Sequence, residues 1–277
     1  MGGRLWAVLG VLFSALSLAD AGKPAQRILA LSPHAVELLY TIGAGSRIVG
    51  TVEYADYPEP AKAIPRIGSY HGIQIEQVLA LKPDLVVAWR SGNKAADLAK
   101  LESLRLRIFY TLPKNIGQIG DELTALGELT GQEKEAQAAV EALNTRYHAI
   151  KDQYAHRESV SVFYQLWHDP LRTVGQGSWI DGMISDCGGH NLFHEAESDY
   201  PMVALDAVIV KNPQVIVIPH HSGEVGAKAE LWKKWPEIDA VRLKQIRILN
   251  GDLLHRYSVR ALDGLQQLCE VIDSARK

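Results

Sequence analysis

One stretch of this chain occurs twice. Glu76-Gln-Val-Leu-Ala-Leu-Lys-Pro83-Asp-Leu-Val-Val87 aligns with Asp206-Ala-Val-Ile-Val-Lys-Asn-Pro213-Gln-Val-Ile-Val217 at a constant spacing of 130 residues, and Tyr70 and Tyr200 keep the same spacing. In each copy an acid opens a short helical run, a proline ends it and an apolar strand follows. The acid suits the partial positive charge of a helix N-terminus, and the proline cannot continue a helix. Two units of this kind predict two lobes built alike, with a ligand cleft between them.

The rest of the chain agrees with that reading. Short apolar runs at Ile28–Leu31, Leu85–Ala88 and Ile108–Tyr110 read as buried strands of the first half. Val160–Tyr164, Val215–Ile218 and Ile246–Leu249 read the same way in the second. Strands alternating with helical runs predict α/β layering. Between the halves, Leu123, Leu126, Leu129, Val140, Leu143, Tyr147 and Ile150 recur at helical spacing, with a break expected at Gly131. The fold expected is therefore α/β, with two similar lobes at 22–120 and 158–277 joined by a long rigid helical segment at 121–157.

Residues 1–21 carry the pattern of a cleaved signal peptide. Arg4 precedes an apolar run from Leu5 to Leu18, and Ala19 and Ala21 are the small residues a signal peptidase reads. No cysteine lies near the cut, so a lipid anchor attached there is excluded. The net charge of −3 gives no electrostatic case for nucleic acid or anionic lipid as a partner. Cys187 and Cys269 are the two cysteines; after export they are a reasonable disulfide candidate, with a pair of free buried thiols as the alternative.

Aromatic residues gather after strand ends in both halves: Tyr54, Tyr57 and Tyr70, then Trp89, then Trp167 and Tyr200. Loops at the carboxyl ends of strands are where α/β folds bind ligands, and Tyr and Trp suit a large flat ligand with polar edges. No G-x-S-x-G, H-E-x-x-H, phosphate-binding loop or G-x-G-x-x-G is present. Ser32 before Pro33 reads as a helix N-cap, not as a nucleophile. His168, His190, His194, His220, His221 and His255 fall in the second half, adjacent to one another or in loops, without the convergence a metal site needs. No enzyme activity, metal or cofactor is expected.

Leu31-Ser-Pro33, Tyr54-Ala-Asp-Tyr-Pro58, Ala80-Leu-Lys-Pro-Asp-Leu-Val-Val-Ala-Trp-Arg90 with Gly92-Asn93, and Cys187-Gly-Gly189 together resemble the periplasmic cobalamin-binding proteins. These are a branch of the helical-backbone substrate-binding proteins that serve ABC importers. The resemblance covers essentially the whole chain after residue 21. It implies a periplasmic carrier for which cobalamin is cargo and not cofactor, and a monomer is the simplest shape for it. It implies that Tyr54 and Trp89 contact the corrinoid from the first lobe. The segment Asp252, Leu253, Leu254, His255 and Arg256 would line the cleft from the second. It further implies a Cys187–Cys269 disulfide, and Glu76 and Asp206 as acids on the lobe tips that dock onto permease arginines. Tyr70 and Tyr200 stand where relatives carry tryptophan, and Arg172 where they carry phenylalanine, so all three are added to the expected ligand-binding set. A haem or ferric siderophore is the alternative ligand, served by Arg90, Arg172 and Arg256. An exported metal-dependent hydrolase using the second-lobe histidines is the rival of another class.

Overall fold

Eight short strands rich in Val, Ile and Leu form two parallel sheets in the computed structural model, which describes residues 22–154, 156–221 and 227–276. The segment read as a signal, 1–21, lies outside the described residues. The first sheet contains β1 (Ile28–Ala30), β2 (Ile48–Thr51), β3 (Leu85–Trp89) and β4 (Ile108–Thr111). The second contains β5 (Val160–Tyr164), β6 (Gly189–Asn191), β7 (Val215–His220) and β8 (Ile246–Asn250). The spatial orders are β2-β1-β3-β4 and β6-β5-β7-β8, the same topology twice, with every neighbouring pair parallel. The order reverses between β1 and β3, and again between β5 and β7. A crevice opens at such a switch point, outside the carboxyl ends of the strands.

All six strands expected from the apolar runs are present. The two missed strands, β2 and β6, are edge strands. They carry Gly50 in one case and Gly189-His190-Asn191 in the other. The first is a short apolar run broken by its glycine, and the second has no apolar side chain and is a strand because a neighbour pairs with it. Helix ends follow local chemistry. Ser32 caps the helix Pro33–Thr41, its Oγ accepting from the Ala35 N–H, as its place before a proline predicts. The repeated helices, Ile75–Leu81 and Leu205–Lys211, both end on a left-handed residue, Lys82 and Asn212, each at φ 46°. Pro83 and Pro213 follow immediately.

The connection between the sheets is two helices and not one. Ile116–Thr130 ends at Gly131, whose φ of 67° suits glycine, and Glu133–Tyr154 then runs 22 residues. At 1.5 Å per residue that second helix is roughly 33 Å long. Ile116, Ile119, Leu123 and Leu126 bury one face of the first helix, and Leu143, Ile150 and Tyr154 one face of the second. These residues belong to one hydrophobic core that includes Ile28, Ala30 and Val87 of one sheet and Val162, Val215 and Val217 of the other. The alternate residues, Leu29 and Val86 or Phe163 and Ile216, fill separate outer cores. The period-two alternation of each strand thus assigns one face to a core that both lobes share. Cys187 and Cys269 are disulfide-bonded and tie the end of the helix Trp179–Asp186 to the helix Ala261–Ser274.

A polar contact also crosses between the lobes. Glu37, 3% exposed on the helix Pro33–Thr41, accepts from Arg256 Nη1 and Arg260 Nη1, each at 3.1 Å, and from the Ser258 hydroxyl. Arg256 also pairs with Asp56 at 2.7 Å. A buried carboxylate with three donors is satisfied; without it Arg260 would lose its carboxylate partner, while Arg256 would keep Asp56 and Asp252. Beside it, His34 is 2% exposed and 2.7 Å from the Thr111 hydroxyl. Burial, and then the Arg256 charge, push its pKa down to about 3, so it is neutral. Glu122, 8% exposed, is pushed up to about 7 by burial and is favoured in its neutral form.

Two outcomes follow from this packing. Replacing Glu37 by Ala is expected to cost about 3 kcal/mol, because it leaves Arg260 without a carboxylate and takes one of three from Arg256 at the lobe junction; urea titration measures it, and a loss within error of zero refutes the clamp. The second concerns pH. Unfolded His34 takes up a proton below about 6.5, folded His34 only near 3. Between those values the unfolded chain binds more protons, so stability falls as pH falls, by about 1.4 kcal/mol per unit from this residue. Glu122 has the opposite sign, its contribution being present at low pH and lost as pH rises through about 7. The difference between wild type and His34→Asn isolates the histidine. The variant's denaturant midpoint is expected to depend less steeply on pH from 6.5 to 4, and parallel curves would refute the assignment.

Candidate functional site: a cleft between the lobes

The first wall of the cleft forms where β2 and β3 end. Tyr54 follows β2 at φ 64°, a left-handed conformation that L-residues adopt at a cost, and its ring is 68% exposed. Tyr70 sits at the tip of the hairpin Gly68–Ser69/Gly72–Ile73, 65% exposed, with its ring centroid 3.8 Å from that of His71. Trp89 ends β3. Asn93 holds it in place, accepting from the Trp89 N–H at 2.8 Å and donating to the Leu31 carbonyl at 2.8 Å, which joins the loops on both sides of the switch point. Gly92 is required by close approach, since a Cβ there would stand 1.8 Å from the Trp89 ring. Leu31, Ser32, Val52, Tyr54, Tyr70 and Trp89 share the lining of a recess of about 190 Å³. The Trp89 indole N–H is buried with no acceptor among the described residues, which makes it a donor in want of a partner.

The second wall is built from the hairpin Trp167–His168/Leu171–Arg172 and the segment 200–202. Trp167, Tyr200 and Met202 are exposed there. Arg172 Nη1 donates to the Tyr200 carbonyl at 3.1 Å, and the Thr173 N–H donates to the Pro201 carbonyl at 3.1 Å. Arg172 therefore fixes the strand that presents Tyr200. The floor is an aromatic group that sequence spacing gave no sign of. Tyr257 lies edge-on to His34, Trp89 and Trp179, at centroid distances of 5.4, 5.8 and 4.8 Å, and Tyr200 is its electrostatic neighbour. Burial raises the pKa of both tyrosines, which keeps them neutral donors and acceptors.

The segment Asp252–Arg256 divides by side-chain direction. The short helix Gly251–His255 turns Leu253 and Leu254 into the core, at 8% and 0% exposure. Neither offers a ligand any surface, which corrects the expectation that the whole segment lines the cleft; a helical turn cannot aim five successive residues one way. Asp252 accepts from His221 Nδ1 at 3.0 Å, a hydrogen bond that, together with Arg256, holds its pKa below the usual carboxylate value against burial. His255 bonds the Tyr164 hydroxyl at 2.8 Å and is pushed down to about 4 by burial. Arg256 is held by Glu37, Asp56 and Asp252.

Of the three arginines that an anionic ligand would need, Arg90 and Arg256 have carboxylate partners, and Arg172 donates to a backbone carbonyl. Arg90 lies 3.4 Å over the Tyr110 ring and 3.8 Å from Glu102, and Arg172 and Arg256 have the partners named above. The walls present aromatic faces in place of converging cations. Among the described residues no three His, Cys, Asp or Glu are grouped to hold a metal ion. His194 pairs with Asp181, away from the other histidines. Glu76 and Asp206 lie outside the cleft, exposed in the first turns of the repeated helices. No helix among the described residues is long and apolar enough to cross a membrane.

Comparison with known proteins agrees with the geometry. The family model described as periplasmic binding protein matches residues 28–253. The vitamin B12-binding protein of Vibrio cholerae is 38% identical over 267 residues, covering 96% of each chain. That of Yersinia pseudotuberculosis is 34% identical over 268 residues, covering 97% of this chain and 93% of the relative. The crystal structure of the periplasmic vitamin B12-binding protein of Vibrio cholerae superposes with a TM-score of 0.84 at 37% identity, covering 92% of this chain and 99% of that one. A periplasmic haem-binding protein in complex with two haems shares the fold at a TM-score of 0.82 but only 19% identity, over 92% of this chain and all of that one. On the match over most of its length, this chain belongs to the periplasmic binding protein family, whose members bind substrates and do not transform them.

Proposed function

We propose that this protein captures cobalamin between its lobes and delivers it to an ABC-type permease. The observation that carries the reading is the set of aromatics beyond the strand ends of both lobes, Tyr54, Tyr70 and Trp89 on one and Trp167 and Tyr200 on the other, with Arg90 and Arg256 paired to carboxylates. A corrin ring is large, flat and edged with amides. Aromatic faces supply contact area at low entropic cost, and the unpaired Trp89 N–H matches an amide carbonyl. The names of the relatives point the same way. Haem and ferric siderophores carry negative charge and call for several converging free cations, whereas of these arginines only Arg172 lacks a carboxylate partner.

The shared core and the Glu37 clamp support a carrier that rocks slightly instead of hinging open. Export through a signal over residues 1–21, cleavage after Ala21 and a monomeric periplasmic carrier complete the reading. Delivery uses Glu76 and Asp206, one acid per lobe at equivalent positions, as a pseudo-twofold permease requires. Exposed ion pairs give about 0–1 kcal/mol each, so these acids set orientation and encounter rate more than affinity.

Calorimetric titration with cyanocobalamin is expected to give one-to-one binding, with haemin inert. Trp89→Ala should weaken that binding by about 2 kcal/mol, roughly thirtyfold; preference for haemin, or an unaffected variant, would sink the reading. Reversing both acids (Glu76→Lys with Asp206→Lys) is expected to abolish uptake in whole cells while the calorimetric affinity stays unchanged. Normal uptake by the double variant would remove the docking role.

A further inference from the structure

We infer that His221 is an axial ligand for the metal of the cargo: its Nε2 displaces an exchangeable water from a Co(III) corrinoid seated in the cleft. The inference rests on the corrinoid reading above and deepens it by naming which axial form of the ligand the protein holds tightest.

His221 is the first residue after β7, one of the two strands that flank the switch point of the second sheet. At the 130-residue spacing of the internal repeat it corresponds to Ser91, two residues beyond Trp89 at the matching crevice of the first sheet. Its side chain is 55% exposed. Other polar groups near the cleft have tasks of their own. His34 is buried on Thr111, His255 on Tyr164, and Arg172 and Arg256 have the partners described.

The ring is oriented as a metal-binding imidazole is. Nδ1 lies 3.0 Å from Asp252 Oδ1, so it donates to the carboxylate and the lone pair is placed on Nε2. Ligating histidines commonly have their second nitrogen held by a carboxylate in this way, which fixes the tautomer and raises the basicity of the ligating atom. Asp252 is itself fixed: its N–H donates to Asn250 Oδ1 at 2.9 Å and its Oδ2 lies 3.3 Å from Arg256 Nη2. Through Arg256 the pair connects to Asp56 and Glu37 of the opposite lobe, which places it beside the floor of the cleft. The Cε1–Nε2 edge packs beside Gly251, where only glycine admits the ring, since a Cβ there would stand 2.7 Å from Cε1 and 2.8 Å from Nε2. Among the described residues Nε2 has no hydrogen-bond partner in the structure.

The step is a ligand exchange at a trivalent metal. The cobalt–oxygen bond to water breaks, water leaves as a neutral molecule, and a cobalt–nitrogen bond forms with the Nε2 lone pair. Cobalt keeps its oxidation state and no proton is lost, because the Nδ1 proton stays between the ring and Asp252. Imidazole is a suitable donor for a transition metal of this kind. A cyanide ligand on the same face is held far more strongly than water, so cyanocobalamin cannot undergo the exchange.

Visible absorption spectra of aquocobalamin and cyanocobalamin, recorded with and without the protein, test this. Aquocobalamin is expected to shift its corrin bands on binding, cyanocobalamin to keep its spectrum, and aquocobalamin to bind at least tenfold tighter. In His221→Ala the shift and the tenfold preference are expected to disappear, while continued binding of cyanocobalamin shows that the variant is folded. Binding of both corrinoids with equal affinity and no spectral change overturns the inference and leaves the corrinoid reading standing. A shift that persists in His221→Ala assigns the exchange to another group and also overturns it. Binding of neither corrinoid overturns the corrinoid reading, and this inference with it.

Discussion

The two lobes do not hang from a flexible joint; they grow from one continuous core. Ile28 and Val87 of the first sheet, Val162 and Val217 of the second, and Leu123 and Leu143 of the connecting helices are parts of a single buried cluster. Separating the lobes would expose apolar surface along that whole length, at about 25 cal/mol per Å². The Glu37 clamp adds direction to a force that has none. Its three donors come from one short stretch, Arg256 to Arg260, so the carboxylate fixes where that stretch meets the first lobe. The cleft above inherits its width from this junction.

That constraint explains how side chains far apart in sequence become one site. Tyr257 follows Arg256 directly, so the clamp that fixes the arginine also sets the tyrosine against Trp89 and His34. The same arginine steadies Asp252, and Asp252 orients His221. Arg256 is thereby removed from the list of groups free to meet an anion. Its charge is used inside the protein, and the cleft keeps the neutral, aromatic character that suits a large ligand with polar edges.

Much of the architecture was legible before any coordinates. The 130-residue repeat implied two like lobes, and the sheets have one topology twice; the apolar runs located six of the eight strands, and Ser32, Pro83 and Pro213 marked helix ends. The edge strands β2 and β6 were not read as strands: β6 is Gly-His-Asn, with little strand preference, and in β2 the β-branched Ile48, Val49 and Thr51 make only a short run interrupted by Gly50. The break in the connector was legible in Gly131 and is present, between Ile116–Thr130 and Glu133–Tyr154; that the two helices pack into one core was not, since helical spacing carries no direction. In the site, Tyr54, Tyr70 and Trp89 stood out as aromatics beyond strand ends and do share one recess. Leu253 and Leu254 were included because the resemblance implied the whole segment Asp252–Arg256, and the turn of a helix buries them. Tyr257 and Glu37 carried no local signal, because their roles exist only across the junction of the lobes.

Sequence by itself determined what depends on neighbours along the chain: the duplicated helix–strand unit, the alternation that gives each strand two apolar faces, the caps, and the exclusion of the common catalytic motifs. Tertiary structure alone decided which charges remain available and which aromatics meet. Arg172 and Arg256 look alike as unpaired cations in the sequence, and only folding shows one bound to a carbonyl and the other to three carboxylates. The reason is physical. Helix and strand preferences act over a few residues, whereas the cost of an unpaired buried charge is settled by whatever the fold brings within about 4 Å.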